Sequence, residues 1–392
     1  MRLTHEHEQL RETARRVIET HINPFVDDWE RDEMFPAHQV MKHLGDAGLL
    51  GIGKPAAYGG MDLDFSYEMV FAEATGRIRA TGLSSAIGVQ STMCTPALAA
   101  HGSDALKRDW LAPTIAGDLV GCIGVSEPSA GSDVAQLRTH ARRDGGDYVI
   151  NGSKMWITNG VQGDWICLLC NTSSDGAPHR NKSLIVVPLD TPGISVSRKL
   201  DKMLFRASDT AELFFDDVRV PVTNRIGEEG MGFIYQMEQF QEERMFVVAR
   251  GIQALEMCVE DTVEYTGQRI AFDQPILANQ VVYHKLAEHQ SEIEALRSLL
   301  WRAVESYMDG QDVTELASMA KFLLGRLSMR LPAECQQYWG GQGVMNENWI
   351  SRAFRDLRLA GIGGGANEVM LEVVAKKMGI HPSSRRNAPG RQ

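Results

Sequence analysis

The spacing of apolar residues divides the chain into three blocks with different periodicities. Residues 1–119 carry apolar side chains at helical spacing, and one of the expected helices covers 66–76. Between 120 and 224, short apolar runs alternate with polar turns, which is typical of a small antiparallel barrel or sandwich. Helical spacing returns over 225–381, where long stretches without proline predict an antiparallel helix bundle. The order of the blocks predicts an α+β protein.

Local patterns place individual elements within these blocks. Tyr148 to Ile150 precede Asn151-Gly152, a dipeptide that favours a two-residue turn, so a β-hairpin is expected there. The terminal segment 382–392 is rich in Ser, Arg, Pro and Gly, which predicts a mobile tail. Further strands are expected at 165–169, 183–187, 194–196 and 212–215, and long helices at 233–265, 281–308 and 313–331.

Composition narrows the class of protein. The 392 residues are 43% hydrophobic and 23% charged, with a formal net charge of -11, which favours a soluble protein without nonspecific nucleic-acid binding. No apolar run is long enough to span a membrane, and no signal or transit segment precedes the first helical pattern, so a cytoplasmic protein is expected. Cys167 and Cys170 lie three positions apart in a predicted strand and therefore face opposite sides. No metal site is expected.

Two segments of the middle block carry candidate chemistry. The loop from Gly124 to Asp133 is built from small and hydroxyl residues, so that its backbone N–H groups can approach a flavin edge or an anion. Taken alone, such a loop is also typical of a simple turn. Trp156 and Thr158 share one face of a strand, where an indole and a hydroxyl suit a flat heterocycle, although a core tryptophan fits the same pattern. The two segments together favour a flavin site.

Taken in order, the motifs resemble those of the acyl-CoA dehydrogenase family over nearly the whole chain. This resemblance implies an N-terminal α-helical domain (1–119), a middle β-barrel or sandwich domain (120–224), a C-terminal four-helix bundle (225–381) and bound FAD. It also implies an acyl-CoA substrate, an electron-transfer flavoprotein as electron acceptor, and a homotetramer arranged as a dimer of dimers. The matching motifs are Gly124 to Ser132, Trp156 to Thr158, Arg269 to Phe272 with Gln280, Gln337 to Gly343, and Arg355-Asp356.

The resemblance also assigns roles to individual positions. It implies that Ser132, Arg244 and Gly365 contact the substrate, and that the segments from Arg269 onward hold the FAD of a neighbouring subunit. The sequence departs from the family pattern at Asp273, where glycine is usual, and at Ala366, where threonine faces the FAD. The implied FAD contacts are Ile123, Val125, Ser126, Ser132, Trp156, Ile157, Thr158, Arg269, Phe272, Gln280, Gln337, Gly340, Gly341, Ala366 and Glu368.

A third departure concerns the catalytic base. Many relatives place a glutamate where this chain has Gly364, but Glu243 before Arg244 matches the base position of the isovaleryl-CoA and long-chain branches. The resemblance then implies that Glu243 removes the α proton and flavin N5 accepts the β hydride. A backbone N–H near Gly364 would polarise the thioester carbonyl.

Helical geometry supports the choice of Glu243 independently. Glu243 lies about 60° from the centre of an apolar stripe on its helix, whereas Glu242 lies on the far side. A solvated charge run is the alternative interpretation of these two carboxylates. The stripe consists of Phe233, Phe240, Val247 and Ala254.

Other functions fit the same scaffold. An acyl-CoA oxidase, a nitroalkane oxidase or a flavin monooxygenase would use a different acceptor or substrate, and the loss of a glutamate at Gly364 also suits an inactive acyl-CoA-binding protein. The runs 179–185, 239–244 and 362–371 look most similar to bacterial branched-chain members of the family, such as citronellyl-CoA dehydrogenases. Acyl chain length is not predicted.

Overall fold

The computed structural model describes residues 3–174 and 177–382. Helices come first, a sheet follows and helices return, which confirms the predicted α+β class. The predicted mobile tail lies outside the described residues except for Pro382. None of the helices in the described ranges combines the length and the apolar character that crossing a lipid bilayer requires.

Among the helices that precede the sheet, α1 buries one face, whereas α4 and α5 are buried nearly all round. In α1, for example, Leu10, Ala14, Val17 and Ile18 are buried at helical spacing, while the first turn carries acidic residues that favour a helix N-terminus. The helix predicted at 66–76 is α4. The eight bounds are α1 His5–His21, α2 Val26–Asp32, α3 Ala37–Asp46, α4 Phe65–Thr75, α5 Thr81–Gly88, α6 Pro96–His101, α7 Asp104–Leu106 and α8 Ala112–Ile115.

The strands form one main sheet in the order β6-β7-β3-β2-β4-β5-β8, with β1 parallel to β4. Its central strands β4 and β5 are buried along nearly their whole length, which explains their continuous apolar runs. The strand bounds are β1 Gly121–Gly124, β2 His140–Asp144, β3 Asp147–Thr158, β4 Trp165–Asn171, β5 Lys182–Pro188, β6 Ile194–Val196, β7 Thr210–Pro221 and β8 Arg225–Ile226, and a separate pair is formed by β9 Ile270–Ala271 and β10 Gln274–Pro275.

The hairpin predicted at Asn151-Gly152 is wrong. Strand β3 runs straight through both residues, and its pairing with β7 shifts register between Ile150 and Gly152. The Asn151 side chain donates to Asp217 and accepts from the backbone N–H of the same residue, so it fixes the irregularity instead of a turn. A Cβ on Gly152 would lie 2.6 Å from the Thr139 hydroxyl, so this glycine permits a close approach of two strands.

The helices after the sheet are longer than predicted. The third was expected to end at residue 331, but it continues through Pro332 to Tyr338. Pro332 removes one backbone hydrogen bond, while burial of Leu331, Pro332 and Cys335 on the inner face favours continuing the helix. The bounds are α9 Gly232–Gln268, α10 Gln280–Met308, α11 Thr314–Tyr338, α12 Trp349–Asp356 and α13 Asn367–Lys377.

The described residues form two compact units. The sheet unit comprises residues 6–71 and 82–243, and the helix unit comprises the described parts of 1–5, 72–81 and 244–392. The core of the sheet unit is a cluster built from alternate residues on one face of β4 and β5, with residues of β1, β2, β3 and β7 and with Val89 and Met93. The domain boundaries expected after residues 119, 224 and 381 stay predictions.

Candidate active site

In the sheet unit, the two candidate flavin segments lie side by side. The carbonyl of Ser126, just after β1, accepts a hydrogen bond from the Met155 N–H in β3 at 3.0 Å. The Lys154 ammonium donates to the carbonyl of Val125, also at 3.0 Å. Two segments almost thirty residues apart in the sequence are therefore joined by a main-chain bond and a side-chain bond.

A buried ion pair supports this junction. The Lys154 ammonium lies 2.9 Å from the Glu127 carboxylate, and their side chains are 0% and 4% exposed. Glu127 also accepts from the backbone N–H groups of Arg138 and Thr139 at 2.7 and 2.9 Å. Burial alone raises the pKa of Glu127, but Lys154 and these N–H donors outweigh it, so the pKa of the Glu127 carboxyl is lowered.

The sequence analysis assigned no role to Glu127, which stands inside the first motif, or to Lys154, which stands two residues before the second. The sequence does contain a sign of this pair: Glu127 is the one charged residue among the small and apolar residues from Gly124 to Ser132. A charge in such a segment is buried only when it is paired.

Trp156 has an unusual backbone and an exposed ring. Its φ is +60°, a left-handed conformation that costs a non-glycine residue about 1–2 kcal/mol. The register of β3 against β7 shifts between Lys154 and Ile157, so that the indole is 56% exposed while Ile157 is buried. A bulge that aims a large aromatic ring outward is typical of ligand sites. The exposed plane fits a flat heterocycle such as a flavin.

The remaining predicted contacts of the sheet unit differ in what they can offer a ligand. Val125 and Ile157 are buried, so only their backbone groups are available. Ile123, Ser126 and Thr158 are half-buried. Ser132 is exposed.

Glu243 lies on α9, in the part that belongs to the sheet unit. Its side chain is half-buried, neither solvated nor sealed in the core. One turn earlier, the Gln239 amide fixes the helix because it accepts from the N–H of Ala97 at 3.2 Å and donates to the carbonyl of Met93. Glu243 therefore projects from a helix whose position is set by buried hydrogen bonds.

Glu242 is also half-buried. It acts on Lys54, whose ammonium is buried 2.9 Å from the Glu68 carboxylate. Burial lowers the pKa of Lys54, but Glu68 and then Glu242 outweigh it, and the pKa is raised. The helical wheel did not predict the influence of Glu242 on this buried lysine.

In the helix unit, Lys321 holds the glycine-rich loop that precedes α13. Its ammonium, fully buried, donates to the carbonyls of Ala360 and Gly365, the second at 3.1 Å. Gly364 and Gly365 have φ of +63° and +102°, where glycine is favoured. The loop backbone is therefore fixed at both ends, and Gly364 is exposed. Lys321 was missed by the sequence analysis.

Ala366 shows the consequence of one departure from the family pattern. It occupies the N-cap position of α13, and no side-chain hydrogen bond caps the helix there. A threonine hydroxyl at this position would satisfy one of the free N–H groups of the first turn. The helix begins without that bond.

The other predicted positions of the helix unit lie on its surface. The turn that joins β9 and β10 places Phe272 and Asp273 at φ of +51° and +62°, with Phe272 99% exposed. The remaining exposed positions are Arg269, Gln280, Gln337, Gly340, Gly341 and Glu368, whereas Arg244 is half-buried.

The strain at Asp273 leads to a prediction. We expect Asp273→Gly to raise the free energy of unfolding by about 0.5–1 kcal/mol, because glycine adopts positive φ without steric cost. Gln274→Gly is the matched control, since it removes a side chain from the extended neighbouring strand and should destabilise. Thermal unfolding of the two variants measures the difference. Equal effects would show that the backbone at Asp273 is unstrained.

The two cysteines of β4 are buried thiols. Ile166, Leu168 and Cys170 belong to the core cluster of the sheet, while Cys167 faces the other side of the strand. Burial raises the pKa of each thiol to about 12, so both are neutral at physiological pH.

Comparison with known proteins identifies the family. Three family models match successive parts of the chain: acyl-CoA dehydrogenase N-terminal domain over residues 4–118, middle domain over 122–218 and C-terminal domain over 230–379. The mitochondrial long-chain specific acyl-CoA dehydrogenase of Sus scrofa is 33% identical over 374 residues, which cover 95% of this chain and 86% of that protein. An acyl-CoA dehydrogenase of Bacillus subtilis is 32% identical over 377 residues, covering 96% and 98%.

A solved structure agrees with these sequence relationships. The crystal structure of an acyl-CoA dehydrogenase from Geobacillus kaustophilus superposes with a TM-score of 0.92 at 37% identity, covering 96% of this chain and 98% of that one. As its motifs predicted, the chain belongs to the acyl-CoA dehydrogenase family of oxidoreductases.

Proposed function

We propose that this chain binds FAD and converts an acyl-CoA thioester to the trans-2-enoyl-CoA, with Glu243 as the base that removes the α proton. The observation that carries the proposal is the exposed indole of Trp156 on a strained bulge that is hydrogen-bonded to the Ser126 segment. A strained, exposed aromatic residue beside hydroxyls is costly unless a ligand uses it.

Each residue contributes a distinct interaction. Trp156 offers a flat apolar face, and the hydroxyls and backbone groups of Ser126 and Thr158 offer hydrogen bonds to a polar ring edge. When bound, the flavin supplies an acceptor for the β hydride. Glu243 accepts the α proton from a position that Gln239 fixes.

Polarisation of the thioester is assigned to the backbone of the glycine-rich loop. A backbone N–H aimed at a developing oxyanion contributes about 10²–10³ in rate. Gly364 keeps that N–H although it lacks the carboxylate found in many relatives, and Lys321 limits movement of the loop. The chain thus retains the groups for both steps, with the base on α9.

We also propose that the protein works as a homotetramer and passes electrons to an electron-transfer flavoprotein. The segment 269–283 supports assembly because Ile270, Phe272 and Val281 are 56%, 99% and 71% exposed. Exposed apolar side chains grouped in this way favour a protein interface. A second copy seated on this segment would bring Arg269 and Gln280 to a shared cofactor.

The proposal is tested by purifying the protein and recording its visible spectrum before and after anaerobic addition of acyl-CoA esters. We expect a yellow protein whose absorbance is bleached by at least one member of a panel of straight, branched and terpenoid esters. A colourless protein that cannot be reconstituted with FAD would favour an acyl-CoA-binding role. Rapid oxygen consumption would instead indicate an oxidase or a monooxygenase.

A further inference from the structure

The strained bulge at Trp156 is held on both sides by buried side chains. On the side before the bulge, Lys154 is paired with Glu127. On the side after it, β3 resumes its pairing with β7 at Ile157 and ends at Thr158. A left-handed backbone at a bulky residue persists only where the surrounding structure fixes the chain. The residues that hold the second side therefore decide how the indole and the end of β3 are placed.

Asn159 follows Thr158 directly and joins the end of β3 to β1. It is 0% exposed and has a φ of +64°, in the left-handed region that asparagine adopts more readily than most residues. Its amide donates to the carbonyl of Gly121, the first residue of β1, at 3.3 Å, and to the carbonyl of Ala86 in α5 at 3.2 Å. Strand β1 leads into the Ser126 loop. One buried amide thus connects both candidate flavin segments.

Asp209 holds the turn that follows β3. Its side chain is 0% exposed, and its carboxylate accepts from the backbone N–H groups of Val161 and Gln162, both at 2.9 Å. Burial raises the pKa of the Asp209 carboxyl, although these N–H donors favour its charged form. The next residue, Thr210, pairs with Thr158 across the two strands. The carboxylate therefore fixes the turn against the start of β7.

We propose that Asn159 and Asp209 are positioning residues, which hold the Trp156 bulge and the end of β3 in the geometry that binds the flavin ring. This inference rests on the proposed function, because it requires FAD at this part of the sheet. Both side chains are fully buried, so they act through the backbone next to Thr158 and do not touch the ligand. A purely structural role changes stability alone, whereas positioning also changes the bound flavin.

The first test separates the Asn159 amide from the backbone conformation of this residue. In Asn159→Gly the chain keeps a positive φ without steric cost but loses both side-chain hydrogen bonds. We expect this variant to raise the Kd for FAD about tenfold, the equivalent of one buried hydrogen bond. Asn159→Ala adds strain and should raise the Kd further. Equilibrium dialysis of the holoenzyme measures the Kd, and wild-type affinity in Asn159→Gly would overturn the role of the amide.

The second test uses the visible circular dichroism of bound FAD, which reports the surroundings of the flavin separately from its affinity. At saturating FAD, we expect Asp209→Ala to change the flavin bands, because two N–H groups lose their acceptor. Bleaching at saturating ester should slow about 10–10²-fold with KM unchanged, as a small misplacement of the reacting groups predicts. The ester is the one that bleaches the wild type fastest. Asp209→Asn keeps an acceptor oxygen and should recover most of both signals. Wild-type bands and a wild-type rate in Asp209→Ala would overturn the inference.

Glu30→Gln is the matched control for a loss of stability. Glu30 is also a buried carboxylate that accepts a backbone N–H at 2.9 Å, but its donor is Ala207, which lies outside both strands of the bulge. We expect its flavin bands to match those of the wild type at any Tm. The same spectral change in Glu30→Gln as in Asp209→Ala would trace the effect to stability and overturn the inference. If the wild type binds FAD and the variants keep its Kd and its bands, only this inference fails. If the wild type binds no FAD, the proposed function fails as well.

Discussion

Glu243→Gln is expected to keep FAD bound and to slow flavin bleaching by acyl-CoA by about 10²–10⁴, the usual contribution of a general base. The glutamine amide has the size of the carboxylate but does not accept a proton at neutral pH. Anaerobic stopped-flow absorbance measures the rate, and the visible spectrum before mixing measures FAD content. Bleaching at the wild-type rate would exclude Glu243 as the base.

The adjacent residue provides the control for this experiment. Glu242→Gln makes the same chemical change one position away, where the carboxylate influences Lys54. Lys54 keeps its bond to Glu68, so the fold is expected to persist and bleaching to continue. If Glu242→Gln bleached slowly while Glu243→Gln bleached at the wild-type rate, Glu242 and not Glu243 would be the base.

Much of the fold was predictable because its elements carry regular patterns. The long helices α9, α10 and α11 have apolar stripes, and the buried strands β4 and β5 have continuous apolar runs. Burial of a helix face or a strand depends mainly on where apolar residues recur, and this is visible in one sequence. The ends of these elements were less predictable. Helix α11, for example, continues through Pro332, because burial of its inner face outweighs the tendency of proline to end a helix.

The hairpin prediction failed because tertiary contacts outweigh the local turn preference of Asn151-Gly152. Asn151-Gly152 has the composition of a turn, but tertiary contacts decide its conformation. Asn151 pairs with Asp217 on β7, and Gly152 lies against Thr139, which precedes β2. Both partners are distant in the sequence, so no local pattern distinguishes this bulge from a hairpin.

The sequence predicts residue types for the candidate site, but not the strain or the buried charges that the structure shows there. Trp156 was identified by its motif, whereas its left-handed backbone follows from the register shift against β7. Lys321 holds the glycine-rich loop through hydrogen bonds to backbone carbonyls. These properties depend on three-dimensional packing and leave no mark on composition or periodicity.

The Glu127–Lys154 pair carries the largest expected effect on stability and on the cofactor. Glu127→Gln leaves the Lys154 ammonium charged, buried and without its carboxylate, which costs about 3–5 kcal/mol. The same change loosens the junction that holds Val125 and Ser126 against β3. We therefore expect a lower unfolding temperature together with loss of FAD during purification. The double variant Glu127→Gln with Lys154→Met should recover most of the stability, because the unpaired charge is gone.

Lowering the pH is expected to remove the stabilisation that the Glu127–Lys154 pair gives to the fold. The folded state lowers the pKa of Glu127 below its unfolded value, so the pair stabilises the fold above the unfolded pKa. This contribution is lost as the pH falls through the folded pKa. The wild type should therefore lose more stability than the double variant over that range, as measured by thermal unfolding at a series of acidic pH values.

Glu68→Gln is the matched control for the cofactor effect. It also removes the carboxylate that lies 2.9 Å from a buried lysine, Lys54, but the hydrogen bonds found for Lys54 among the described residues go to Glu68, Gly51 and Asp62, which lie outside both candidate flavin segments. Both single variants should lose stability, and only Glu127→Gln should lose FAD when both are assayed well below their unfolding temperatures. Equal FAD loss would mean that Glu127 acts only through global stability. Selective loss would mean that a buried charge pair holds the flavin-binding backbone in place.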